Sequence, residues 1–598
     1  MKTISTEVLV VGGGAGGIAA AIQASRHASQ TILATEFSWL GGMLTSAGVA
    51  APDGNELAPW HTGLWGAYLQ ELRKRQKLDN GWVSLFTYHP SLGAAIFADW
   101  VAQIPNLTWI KNCHPLSVTQ HNNKITGVRF NDLFVEAKIT IDATELGDLL
   151  ALADIPYRWG WESESQFNEP SLAQNRQIER DFELSALIEK YPVQAPTWVF
   201  LLQYGDRNKT TKPLPNYQGD LSQFQGAWDN YGATKFLKYG KLDRDLYMIN
   251  WPISGNDYGI KLERLIESES SKKEWLTEAY EHSYHFADYL QSNLEKNYGL
   301  ANNIFPQQDN SLLPNLDSAF ALHPYYRESR RIIGNTTITE RDILPVSNGC
   351  VAPLPLNEMG EVNSIAVGNY ANDHHYPDFN FKLENKSILW GGRCTGTPFT
   401  IPYEALVPKS LDGLLVSEKN ISVSHIANGS TRLQPVVMNI GQAAGMAAAL
   451  SIQHNCQPRE LAVREVQEAL LLDKIAPSVV IPLFNLVPNH PQWLYWQRYY
   501  LDRPEAYPID GNCPCDSIEN LTIITGNYYR GIFNRASDLE YTITLTEPAN
   551  PPNQTYQLIT IYPDINQKFL DLRSRQTIEF VGRLNSSGDW LLVEQILN

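Results

Sequence analysis

Cysteine is scarce: six are scattered through 598 residues, at Cys113, Cys350, Cys394, Cys456, Cys513 and Cys515. That is too few for a disulfide scaffold, and no CxxC pair offers zinc spacing. The thiols point to a reducing, cytoplasmic setting. The close pair Cys513-Pro514-Cys515 reads as two thiols in a proline turn, with redox or metal chemistry as the rival. Basic residues are also in deficit, 47 Lys and Arg against 64 Asp and Glu, for a net charge of -17. With the two signs interspersed, this argues against a nucleic-acid or anionic-membrane partner and for a small-molecule ligand. Long apolar runs are nearly absent. Only "PVVMNIGQAAGMAAALSI" (435–452) has the length of a membrane span, and Asn439 and Gln442 interrupt it while its small residues suit close helix packing. No membrane span is expected. The opening "MKTISTEVLVVGG" runs straight into a strand pattern, so no export signal is expected, and no internal repeat or low-complexity segment stands out.

What is present is enough apolar content, 43%, to bury two or three cores in a chain too long for one. In "EVLVVGGGAGGIAAAIQASR" a β-branched run meets Gly12, Gly14 and Gly17 before small and apolar residues continue at helical spacing. The pattern predicts strand, tight turn, helix. One glycine makes the turn, one lets backbone approach a pyrophosphate, and one lets the helix pack on the strand; free N–H groups at Ala15, Gly16 and Gly17 then face the phosphates. "TILATE" supplies a second strand ending in Glu36, 24 positions after Gly12. A carboxylate there accepts bonds from ribose hydroxyls. FAD and NAD share this physics.

The next stretch, "FSWLGGMLTSAGVAAPDGNE", adds Gly41 and Gly42. Here the sequence resembles the FAD-dependent oxidoreductases of the glutathione-reductase-like superfamily, in the subgroup akin to fumarate reductase flavoproteins. The resemblance continues at "IDATELGDLLALADIPYRWGWES" (141–163), "YMINWPISGNDY" (247–258), "RESRRIIGNTTITERDIL" (327–344), "IAVGNYANDHHYPD" (365–378) and "IPYEALVPKSLDGLLVSEKNISVSHIANGSTRLQPVVMNIGQAAGMAAAL" (401–450). It implies non-covalently bound FAD held at the glycine turn and Glu36, with Gly41, Gly42, Met43, Asp142, Thr144, Gln434, Gly441 and Gln442 at the matching cofactor positions. The implied fold is α/β: a discontinuous Rossmann-like FAD domain (1–155 and 400–460), an inserted α+β substrate domain (156–399), a helical linker (461–515) and a C-terminal all-β module (516–598). Inside the insert, "SKKEWLTEAYEHSYHFADYLQSNLEK" (271–296) predicts one long helix, and the alternation beyond 516 predicts short strands in a small OB-like barrel.

Flavin chemistry asks the protein for orientation, electronic tuning and a proton route. The start of the 435–452 helix, with Pro435 at a first-turn position, would put a partial positive charge beside the flavin. For proton transfer the candidates are His374 and His375 in the loop after "IAVGNYAN", with His425 competing because the resemblance places it beside the flavin. Two adjacent histidines with no further spaced ligands do not make a metal site, and no metal is expected. Arg330, Arg331 and Arg432 are candidate clamps for a substrate carboxylate. His61 is a candidate covalent tether. The expected reaction is hydride transfer between a small organic substrate and FAD, reoxidised by oxygen, a quinone or another carrier; the alternatives are fumarate-reductase-like reduction of an activated double bond and a structural FAD.

Overall fold

A computed structural model describes residues 1–597 except 179–180, 206–220, 244, 295–296, 307–312, 314–315, 517, 519–523, 538 and 549–553. The glycine segment folds as β1 (Lys2–Val11), α1 (Ala15–Arg26) and β2 (Thr31–Ala34). Further along come β3 (Leu107–Ile110), β4 (Ser117–His121), β5 (Lys124–Arg129) and β6 (Leu133–Asp142). They form one sheet in the order β3-β2-β1-β6-β5-β4, in which β1, β2, β3 and β6 are parallel. Period-two alternation sends Val8 and Val10 into the large core with α1, and Leu9 and Val11 into a second core with Ile32, Val128 and Val135. The β4–β5 hairpin turns at Asn122 and Asn123, with φ of 50° and 59°, as two consecutive asparagines allow.

The chain leaves this sheet after Asp142 and returns at β7 (Leu414–Val416), which pairs parallel to β6. Helix α2 (Gln434–His454) follows and lies against α1: an added Cβ on Gly441 would stand 2.0 Å from Gly16 O, and one on Gly445 2.2 Å from Ala20 O. The small residues therefore bring two helix backbones together. By length and composition α2 could cross a membrane, yet 89% of its most apolar window is buried inside the molecule.

Between the two passes of the sheet lie an antiparallel trio (Tyr298–Leu300, Phe200–Tyr204, Leu246–Ile249), a strand pair (Ser364–Asn369 and Pro398–Pro402) and the long helix Glu269–Asn293. That helix starts two residues before the expected point because Ser268 caps it, accepting the Ser271 N–H at 3.1 Å; residues 295–296 of the expected span lie outside the described residues. At the C-terminal end five strands between Asn527 and Ile596 close into a barrel. The module is not all-β. Helix Pro563–Asp571 interrupts it, with proline at N1 and Asp564 in the first turn, a start signal that the alternation around it concealed. The head of the expected strand region, 519–523, lies outside the described residues. The barrel docks on the body through Ile561 O with Ala58 N (2.9 Å) and Asn585 Nδ2 with Gly81 O (2.8 Å).

Candidate functional site

Two clefts receive eight of the residues singled out by the sequence. The first opens at the C-terminal ends of β1 and β2, where open parallel sheets hold ligands. Gly12, Gly14, Glu36, Gly42 and Thr144 line it. Gly12 has φ of 112°, and a Cβ there would stand 2.0 Å from Ala143 O, so only glycine fits. Gly41 donates its N–H to Gly13 O at 2.8 Å, docking the second glycine loop on the first.

Gly14 is also hemmed in by the chain itself: an added Cβ would meet Glu418 Oε1 at 2.2 Å. Glu418 accepts the Gly16 N–H at 2.7 Å, at the positive end of α1 where a carboxylate is favoured. Burial raises Glu418 above the ordinary carboxylate range, against the pull of Lys419, which sits 2.6 Å from Glu145 Oε2. These three charged residues went unflagged; the available signal was "LLVSEK", where charge follows directly on a buried strand.

The remaining expected cofactor positions do not line the cleft. Ala15, Gly16 and Gly17 are buried in the first turn of α1, and Met43 is wholly buried in a one-turn helix. Asp142 Oδ1 accepts the Thr144 N–H (3.0 Å) and hydroxyl (2.7 Å), while burial pushes the carboxyl up to about 7. On α2, Gln434 is buried beside Asp53 N, 3.5 Å away. Gly441 serves the helix contact, and Gln442 is spent on Leu64 N and Ala476 O, both at 2.8 Å.

The model of the FAD dependent oxidoreductase family matches residues 7–470. The chain belongs to this family. It is an FAD-dependent oxidoreductase, a flavoprotein with FAD as cofactor. Among solved structures it is similar to a geranylgeranyl bacteriochlorophyll reductase-like protein from Thermoplasma acidophilum (12% identity over 79% of this chain and 84% of that one, TM-score 0.31). It is also similar to T. acidophilum thioredoxin reductase (21% identity over 27% and 40%, TM-score 0.16). For Aquifex aeolicus GidA the likeness spans 25% of that chain and 23% of this one, at 19% identity and TM-score 0.17. No curated protein matches the chain. The first cleft of this oxidoreductase fits a dinucleotide on its own terms: Glu36 Oε1 is buried there with no hydrogen-bond partner, His114 Nε2 standing 3.6 Å off. A ribose hydroxyl would satisfy that orphan acceptor.

The second cleft is a cavity of about 580 Å³, a size common for small-molecule sites. Its walls come from Asp53 and Gly54, just past the second glycine loop, from the 369–379 loop, from Arg432 and Leu433 just before α2, and from Asp257, Tyr325 and Arg327. His375 stands between two carboxylates, Nδ1 at 2.7 Å from Asp257 Oδ2 and Nε2 at 2.9 Å from Asp373 Oδ2. Burial would raise Asp373, but His375 and then Arg432, at 3.0 Å, outweigh it and hold the carboxyl far below its ordinary range.

A second chain of hydrogen bonds runs back from the cavity. His374 Nε2 lies 3.0 Å from Ile426 O and so carries a hydrogen. Burial, with His425 beside it, pushes His374 down to about 3, leaving Nδ1 bare to accept from the Tyr376 hydroxyl at 2.7 Å. Tyr376 Oη then accepts from His425 Nε2 at 2.5 Å, and His425 Nδ1 donates to Glu328 Oε1 at 2.8 Å.

His374, His375 and Arg432 thus line the cavity, and His425 stands two hydrogen bonds behind His374. Arg330 and Arg331 do not line it: Arg330 binds Leu146 O and Asp148, and Arg331 binds Glu162 and Val423 O. Arg327, the first residue of "RESRR", is the member of that run that reaches it. His61 faces a separate cavity with Cys515, its Nε2 2.9 Å from Glu56 O. Cys513 and Cys515 are free thiols with sulfurs 3.3 Å apart. Asp53, Glu56, Asp257 and Arg393 carried no local signal; each is an ordinary residue in sequence.

Proposed function

We propose that this enzyme exchanges a hydride between a small organic substrate in the 580 Å³ cavity and non-covalently bound FAD at the glycine cleft. When bound, FAD supplies the two-electron chemistry. The chain's own residues orient the substrate and handle the proton. The observation that carries the reading is the cavity's frame of paired charges, His375 between Asp257 and Asp373 with Arg432 on the latter, which fixes hydrogen-bonding groups at stated positions around a small volume.

Oxidation of the substrate is favoured over fumarate-reductase-like reduction, in which an arginine delivers the proton. Burial would lower Arg432, yet Tyr325 and Asp373 outweigh it and hold the guanidinium above its ordinary value, so it keeps its proton. The electron acceptor in this reading is oxygen, a quinone or another carrier, and the setting is the cytoplasm, in keeping with six free cysteines. Anaerobic mixing of the holoprotein with a panel of metabolites tests it: bleaching of the oxidised flavin names a substrate and the direction together, and a flavin that no metabolite reduces, while an activated alkene reoxidises the dithionite-reduced enzyme, reverses the proposal.

A further inference from the structure

Every cation that lines the second cavity already has an anion. Arg327 Nη2 lies 3.3 Å from Asp257, Arg393 Nη2 3.3 Å from Glu56, and Arg432 Nη2 3.0 Å from Asp373. Arg432 is further held by Tyr325, whose hydroxyl accepts at 2.6 Å. His375 stands within hydrogen-bond distance of both Asp257 and Asp373. Lys386, next to the lining residue Ser387, gives its ammonium to the carbonyls of Tyr370 and Thr397 at 2.5 and 3.1 Å. A substrate carboxylate would compete for these guanidiniums with carboxylates already fixed beside them.

The acids show the complementary pattern. Glu56, Asp257 and Asp373 are each ion-paired, and Asp53 is the cavity carboxyl that makes no ion pair among the described residues. Burial first, then Glu56 and Asp373, push it up to about 8 against Arg432 and Arg393, so near neutral pH it carries a proton. A substrate ammonium therefore meets no free carboxylate either. Asp53 is nonetheless rigidly placed: two residues on, Asn55 exchanges bonds with Asn369, N to O at 3.0 Å and Oδ1 from N at 2.8 Å.

What the lining leaves over is unspent hydrogen-bonding capacity of both kinds. Arg327 Nε, Arg393 Nη1 and Arg432 Nε are buried donors with no hydrogen-bond partner, and Asn250 Oδ1 is a buried acceptor with none. A hydroxyl group both donates and accepts, so a ligand carrying several can satisfy donors and acceptors together without bringing charge. Tyr239, Tyr370 and Phe379 supply apolar faces for its C–H groups.

We infer that the cavity is built for an uncharged, polyhydroxylated substrate, one of whose hydroxyls faces Asp53. The inference rests on the proposed hydride-transfer reading for its consequence in turnover, but concerns binding first. The test uses FAD-loaded enzyme and matched probes: glycerol, myo-inositol, D-glucose and maltose as neutral compounds, D-gluconate and D-glucuronate as anions, D-glucosamine as a cation. Binding is read by calorimetry and, separately, flavin bleaching under anaerobic conditions. At least one neutral probe is expected to bind about tenfold or more tightly than its charged congener. Preferred binding of an anion or the cation, or binding of none of the neutral probes, overturns the inference. A neutral probe that binds without bleaching the flavin leaves the inference standing and counts against the redox reading; bleaching by gluconate alone does the reverse. Asp373→Asn supplies the second arm. Freed of its carboxylate, Arg432 should raise gluconate affinity about tenfold, and unchanged gluconate binding in a folded, yellow variant shows that charge pairing does not set the selectivity.

Discussion

The Tyr376 hydroxyl lies 2.5 Å from His425 Nε2 and 2.7 Å from His374 Nδ1, so one phenol joins two imidazoles. Burial, with Glu328 nearby, holds Tyr376 well above its ordinary value, so it stays a neutral relay between them. Tyr376→Phe should leave both imidazoles without that partner. An expected loss of about 1–3 kcal/mol in unfolding free energy follows for buried groups left unsatisfied. Urea denaturation of the holoprotein measures it, and a variant as stable as the parent removes the chain of bonds from consideration.

Asp53 sets a pH dependence whose sign follows from its raised value. Its carboxyl titrates near 3.8 when unfolded and at about 8 when folded, so the folded state binds the extra proton. Stability from this group is fully present below the unfolded value, falls as pH rises from about 4, and is lost by about pH 8. Asp53→Asn removes the dependence. The thermal midpoint of the variant minus that of the parent should therefore grow from pH 4 to about 8 and level off above. A difference that is flat with pH contradicts the raised, unpaired carboxyl.

Flavin should be released by acid precipitation, since His61 faces a cavity apart from both clefts. Absorbance in the supernatant is the measurement; flavin retained in the pellet shows a covalent bond instead.

Gly14→Val should lose FAD. The new side chain meets Glu418 Oε1 at 2.2 Å from its Cβ, forcing the carboxylate away from Gly16 N and disturbing the turn that frames the cleft. The flavin-to-protein ratio after purification decides it, and full occupancy in the variant rules the turn out as the cofactor's cradle.

His375→Ala removes the bridge between Asp257 and Asp373 and leaves two carboxylates facing each other across the cavity wall. With any substrate that bleaches the parent, flavin reduction should slow by about a hundredfold or more, within the usual cost of a positioned proton-handling group. His61→Ala, on its separate cavity, should reduce at the parent rate. Equal rates for parent and His375→Ala make the bridge structural only.

The contrast between the two clefts shows where sequence is sufficient. The glycine turn, Glu36 and the parallel strands around them were legible because their chemistry is local: a strand, a turn and a helix start lie close together along the chain, and steric demands at Gly12 hold wherever that turn occurs. The long helix of the insert was legible for the same reason, though its start at Ser268 was not. The cavity was not. Asp53, Asp257, Arg327, Asp373, Arg393 and Arg432 meet only after the chain has left the sheet and returned to it, and none is distinguished by its neighbours in sequence. Residue type alone made Arg330 and Arg331 look equal to Arg432; only the folded chain gave Arg330 to Asp148, Arg331 to Glu162 and Arg432 to Asp373. That a dinucleotide turn would form follows from residue order alone. Which acids and bases surround the substrate, and which of them stand free, does not, because a charge acquires its role from the dielectric and the partner within a few ångströms, and both are products of tertiary packing.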